Sequence, residues 1–167
     1  MPLLREFLDR TDSWITSRMA RYGLPALRLS IGIVFIWFGI LKFFPGLSPA
    51  EGLAAKTITT LTGGWLAPST SLFLLASWET LIGVGLVFRL ALRATLLLLW
   101  IQMLGTITPL FLFPLEAFTH IPYAPTLEGQ YIIKNIVLIS AGLVLGATVR
   151  GGRLVAEPGR AATPTSG

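Results

Sequence analysis

One acid lies deep inside an apolar run: Glu79, within residues 71–88. A carboxylate at that depth costs about 2.5–3.5 kcal/mol if it faces lipid, so it must pair, protonate or line a polar cavity. Three other apolar runs each carry a group able to meet it. Lys42 closes the first, Gln102 sits midway along the third, and Lys134 and Asn135 open the fourth. Amine, carboxyl and amide groups gathered in apolar surroundings can hydrogen-bond the oxygens of a ligand and exchange protons with it. Trp37, Trp78 and Trp100 occupy the same runs and can wall such a pocket. The plainer alternative uses the same residues. Glu79 then forms a structural ion pair with Lys42 or Lys134 that fixes helix register, and the tryptophans pack or anchor at the membrane interface.

Other chemistries are excluded by composition. The chain has no cysteine, which removes disulfide exchange, thiolate catalysis and cysteine-ligated iron–sulfur or zinc sites. His120 is the only histidine, so neither a bis-histidine haem nor a two-histidine metal site fits within one chain. Glu116, His120 and Glu128 share a loop, but their spacing matches no metal template and they read as solvated. No catalytic residue, metal or covalent cofactor is assigned.

The elements that hold these residues follow from hydropathy. The chain of 167 residues is 53% hydrophobic and 13% charged, against about 45–50% and about 25% in soluble domains. Its surplus lies in long uninterrupted runs, which places it in the membrane class. The expected fold is all-α: an integral membrane four-helix antiparallel bundle spanning residues 24–44, 71–88, 90–113 and 131–149. Gly32 and Gly39, seven apart, predict a close-packing stripe. Arg28 and Arg89, at the ends of the first two runs, are assigned to structural ion pairing. Residues 48–61 predict a short helix in the first loop, and Arg89 and Arg93 flank a tight hairpin. In the third run, Thr106 and Thr108 are placed to satisfy backbone groups freed by Pro109. Gly142 and Gly146 form a small-xxx-small pair that serves either packing within the bundle or a homodimer.

Residues 1–23 predict a separate amphipathic helix. Leu3, Leu4, Phe7, Leu8, Trp14, Ile15, Met19 and Tyr22 recur at helical spacing, with Arg5, Glu6, Asp9, Arg10 and Asp12 opposite. Such a helix lies in the membrane interface or packs on the inner face of the bundle. The interleaved acids distinguish it from a cleavable signal. Residues 150–167, rich in small and polar residues, read as a disordered cytoplasmic tail.

Orientation follows from the basic residues. Every arginine falls in the N-terminal segment, the hairpin or the tail, whereas Lys42, Lys56 and Lys134 fall toward the opposite face. The positive-inside rule puts both termini in the cytoplasm and both long loops outside. The net charge of +5 thus reports membrane topology rather than affinity for nucleic acid.

Three segments carry a family resemblance. RLSIGIVFIWFGILKFFP (residues 28–45) resembles the first helix of the DoxX-like superfamily, especially its YkgB-like branch, with Arg28, Gly32, Gly39 and Lys42 at the pattern positions. ASWETLIGVGLVFR (residues 76–89) resembles the second, with Glu79 and Arg89. EGQYIIKNIVLISAGLVL (residues 128–145) resembles the fourth, with Lys134 and Asn135. The resemblance covers about residues 24–150. It implies a four-helix protein of the bacterial inner membrane. Members include a membrane subunit of thiosulfate:quinone oxidoreductase, partners of redox enzymes in oxidant resistance and a reactive-chlorine-response protein; distant relatives are assembly chaperones. The expected function is therefore to bind a quinone or similar lipophilic ligand and support a redox-enzyme partner. A non-catalytic scaffold or assembly chaperone is the alternative. A small proton-coupled transporter is disfavoured by the absence of an inverted repeat.

Overall fold

The computed structural model describes residues 2–152 and 154. Its elements are α1 (Pro2–Leu41), α2 (Glu51–Leu61), α3 (Pro68–Phe88), α4 (Leu92–Ile107), α5 (Pro109–Leu112), α6 (Pro114–Ala117), β1 (Phe118–His120), β2 (Ala124–Pro125) and α7 (Leu127–Thr148). Four helical stretches are long and apolar enough to cross a membrane: Phe7–Leu41, Pro68–Phe88, Leu92–Leu112 and Leu127–Thr148. The chain is a multi-pass membrane protein by that measure.

The expected boundary between an interfacial helix and the first span is not present. α1 is one helix of 40 residues and runs through Pro25 without a break. A proline removes one backbone hydrogen bond, and apolar helices absorb that loss. At about 1.5 Å per residue α1 is about 60 Å long, twice the hydrocarbon thickness of a bilayer. Phe7, Trp14, Met19 and Tyr22 are all exposed, so this half of α1 does not pack on the bundle. The expected disordered tail lies largely outside the described residues.

The second half of α1 packs closely on α3 because glycines remove side chains from the seam. A Cβ built on Gly83 would lie 2.6 Å from the Ile36 backbone nitrogen and 2.7 Å from the Gly32 carbonyl oxygen. One built on Gly39 would lie 2.9 Å from the Thr80 nitrogen. The predicted Gly32–Gly39 stripe is therefore used, and Gly83 completes it from the opposite helix.

α3 turns into α4 within three residues. Arg89 (φ 58°) and Ala91 (φ 39°) adopt left-handed conformations, and the Leu90 N–H donates to the Gly85 carbonyl at 2.9 Å. α4 then packs on α7, where a Cβ built on Gly142 would meet the Leu99 side chain at 3.2 Å. Gly146 faces Leu96 at 4.0 Å. The small-residue face of α7 is thus occupied by α4 of the same chain. Ile31, Phe35, Ile82, Leu86, Leu96, Leu99, Met103, Ala141 and Leu145 form the shared core.

Pro109 divides the third run into α4 and α5. The carbonyl that Pro109 leaves without its usual donor, Gly105, accepts the Thr108 backbone N–H at 3.3 Å. The Thr106 and Thr108 hydroxyls donate to the Met103 and Leu104 carbonyls, each at 3.0 Å, and not to Gly105 as expected. α7 begins four residues before the expected 131, because Thr126 caps it by accepting the Gly129 N–H at 3.2 Å.

At the end of the bundle remote from the Arg89–Ala91 turn, α2 folds back against α3 and α5. Gly46, Gly63 and Gly64, all at positive φ, make the turns on either side of α2. The Lys56 ammonium pairs with the Glu116 carboxylate and tethers α2 to α6.

Candidate functional site

Gly39 sets the site. With no side chain there, the α1 backbone lies directly on Glu79 and Thr80 of α3. Lys42 follows just past the last residue of α1. Helical side chains lean toward the N-terminus, so the Lys42 side chain reaches back along α1 rather than out to the end of the bundle. Its Nζ meets the Phe38 carbonyl at 3.3 Å and Glu79 Oε2 at 2.6 Å. From α4, Gln102 Nε2 donates to Glu79 Oε1 at 3.0 Å.

Glu79 is 8% exposed and Gln102 7%. Both carboxylate oxygens are engaged, one by an ammonium and one by an amide, which offsets the loss of water around the charge. Every buried side-chain nitrogen and oxygen among the described residues has a hydrogen-bond partner.

Beside this cluster lies a cavity of about 360 Å³, lined by Lys42, Glu79 and Gln102 together with apolar walls. Such a volume falls in the range of small-molecule sites. Phe35 and Phe38 come from α1, Leu53 and Thr57 from α2, Met103 from α4, and Tyr131 and Asn135 from α7. The arrangement can hold an apolar body and offer hydrogen bonds at one end. Lys42 retains a third N–H, while Gln102 retains its second N–H and its carbonyl oxygen.

The sequence-predicted residues divide cleanly. Lys42, Glu79, Gln102 and Asn135 meet at the cavity. Lys134 does not: it is exposed, with its ammonium 6.0 Å from the Tyr131 ring centroid. One residue along α7 is about 100° of rotation, which carries Lys134 off the face that Asn135 presents. None of the tryptophans lines the cavity. Trp37 is 66% exposed. Trp78 packs on the core and donates its indole N–H to the Leu98 carbonyl at 3.2 Å. Trp100 packs on the core beside Gly142. The aromatic walls are instead Phe35, Phe38 and Tyr131.

The two arginines also differ from expectation. Arg28 bonds carbonyls rather than an acid, donating to Leu86 and, at 2.9 Å, to Val87 near the C-terminus of α3. A cation there complements the helix dipole. Arg89 is exposed, and among the described residues it makes no ion pair. His120 stacks on Tyr123 with ring centroids 6.0 Å apart, and no group of three metal-ligating side chains occurs among the described residues.

Two contributors were missed. Glu128, read as a solvated loop residue, is half-buried in the first turn of α7 and lines the cavity. α2 supplies a whole wall. Leu53, Ala54, Thr57, Ile58 and Leu61, with the N-cap Ala50, all line the cavity and fall at steps of three and four, a signal already present in the sequence.

Compared with protein-family models, curated proteins and solved structures, the chain matches none.

Proposed function

We propose that the chain is a subunit of the bacterial inner membrane that binds a quinone or similar lipophilic molecule beside Glu79 and supports a redox-enzyme partner. The observation that carries this reading is the meeting of an apolar cavity with the buried Lys42–Glu79–Gln102 cluster. A quinone offers carbonyl oxygens that accept hydrogen bonds, and the free N–H groups of Lys42 and Gln102 can supply them. Glu79 and Lys42 can exchange a proton with a ligand bound there. With no cysteine and a single histidine in the chain, electrons come from the partner. The DoxX-like resemblance of residues 24–150 points the same way.

In this reading the four spans form an antiparallel bundle with both termini cytoplasmic. Arg28, Arg89 and Arg93 gather near the α3–α4 turn, and Lys42, Lys56 and Lys134 lie toward the opposite end. A cysteine replacing Arg89, labelled by an impermeant maleimide in intact cells, would reverse that orientation.

The test is extraction of the purified chain and mass spectrometry of what co-purifies. A stoichiometric quinone is expected in wild type and in Lys134→Ala, and its loss in folded Glu79→Gln. A second reading, a scaffold or assembly protein without a ligand, is favoured by one observation: the buried polar atoms are all partnered within the chain. Only bulk phospholipid in every sample would favour the scaffold.

A further inference from the structure

The cavity is not walled evenly. α1 packs on α3, α3 on α4 and α4 on α7, whereas α1 and α7 touch at few residues. Both contribute to the shared core, Ile31 and Phe35 from α1 and Ala141 and Leu145 from α7. Farther toward α2 they flank the cavity, with Val34 and Phe38 on α1 and Tyr131 and Asn135 on α7. Three of these lining residues are also open to the outside: Val34 is 39% exposed, Phe38 46% and Tyr131 43%. A residue that lines a cavity and is exposed marks where the cavity opens. These residues lie in segments of membrane-spanning hydropathy, so this opening faces hydrocarbon; the cavity is also open beside α2, where the lining residue Leu61 is 58% exposed.

The charges beside the cavity narrow what can enter. Among the described residues Lys42 is the only cation lining it, and it is already matched by Glu79. Glu128 adds a second carboxylate at the start of α7. An anionic headgroup would meet an uncompensated carboxylate and no unpaired cation, whereas an uncharged headgroup would meet the remaining N–H groups of Lys42 and Gln102 and the Gln102 carbonyl.

Resting on the ligand reading above, we infer that the α1–α7 seam is a lateral portal through which an uncharged, membrane-dissolved amphiphile reaches the Lys42–Glu79–Gln102 cluster. Fatty acids and other anionic amphiphiles are excluded. Val34, Phe38 and Tyr131 form the rim, and the apolar tail of the ligand remains in the seam.

The absence of cysteine makes the test direct, since one introduced thiol is the only one present. The full chain carrying Val34→Cys is placed in vesicles and labelled with a bilayer-dissolved pyrene maleimide. The reaction is repeated with a fully ring-substituted decyl-benzoquinone and, separately, with oleate. Leu97→Cys, on an exposed face of α4 away from the cavity, is the control. At a quinone concentration ten times its Kd, labelling of Val34→Cys is expected to slow about tenfold, because only about one site in eleven stays free. Oleate should leave it unchanged, and Leu97→Cys should respond to neither. Wild type is assayed in parallel for retention of the same quinone on gel filtration. Retention without protection of Val34→Cys overturns the portal and leaves the ligand site standing. No retention overturns the ligand reading and the portal with it. Equal protection by oleate overturns the charge selection.

Discussion

At the residue scale, the Lys42–Glu79 pair is a commitment that the rest of the site depends on. Glu79 and Lys42 are both nearly buried, with side chains 11% and 10% exposed. Removing one partner leaves a charge in apolar surroundings, so Lys42→Ala is expected to cost about 3–5 kcal/mol of stability. Replacing both, as Lys42→Met with Glu79→Leu, is expected to recover most of that loss, because no charge is left unpaired. Denaturation in detergent measures both variants. If the double variant is less stable than Lys42→Ala, the pair is not what holds this contact. The sequence marked Glu79 as the exceptional residue and named its partners, but it could not choose between Lys42 and Lys134. Counting residues gives depth along a helix; facing direction depends on how each helix is rotated in the bundle. Lys134 and Asn135 are neighbours in sequence, yet only Asn135 lines the cavity.

At the scale of elements, glycine placement decides which helices touch. Gly83→Ala would push a methyl group into the Ile36 backbone nitrogen, 2.6 Å away, where no side chain can move aside. It is expected to destabilise by about 1–3 kcal/mol and to loosen the α1–α3 seam. Gly52, in α2, has nothing within 4 Å of its built Cβ. Gly52→Ala is therefore expected to stabilise by about 0.5–1 kcal/mol through helix propensity alone. Paired denaturation curves check both, and equal effects would contradict the close packing at Gly83. The glycine stripe was legible because spacing by sevens survives in any helix. The continuity of α1 was not: the change from charged to apolar residues near position 24 marks a change of surroundings, and the backbone hydrogen bonds pass through it. α2 was legible as a helix, but its docking on the cavity was not, although its apolar face was present in the sequence.

At the scale of the whole molecule, membrane class and the four spans were legible from run length, because hydrocarbon thickness sets a minimum helix length. The cavity was not legible. An unfilled volume depends on the angles at which helices cross and on what fails to reach the gap, and neither is a property of one segment. The structure places that volume against the cluster that the exceptional acid had indicated. The site and the helix packing are thus one arrangement: the core near the α3–α4 turn holds the helices together, and the half nearer α2 encloses the cavity.

The most direct test of that claim is the thermal midpoint of the purified chain in detergent, titrated with a fully ring-substituted decyl-benzoquinone. Wild type is compared with Ala54→Trp, which fills the cavity from α2 and leaves Lys42, Glu79 and Gln102 untouched. At a hundredfold excess over Kd, wild type should gain about 2.7 kcal/mol of stability, read as a rise in midpoint, and Ala54→Trp should gain none. No rise in wild type, or the same rise in both, would contradict a ligand site in this cavity.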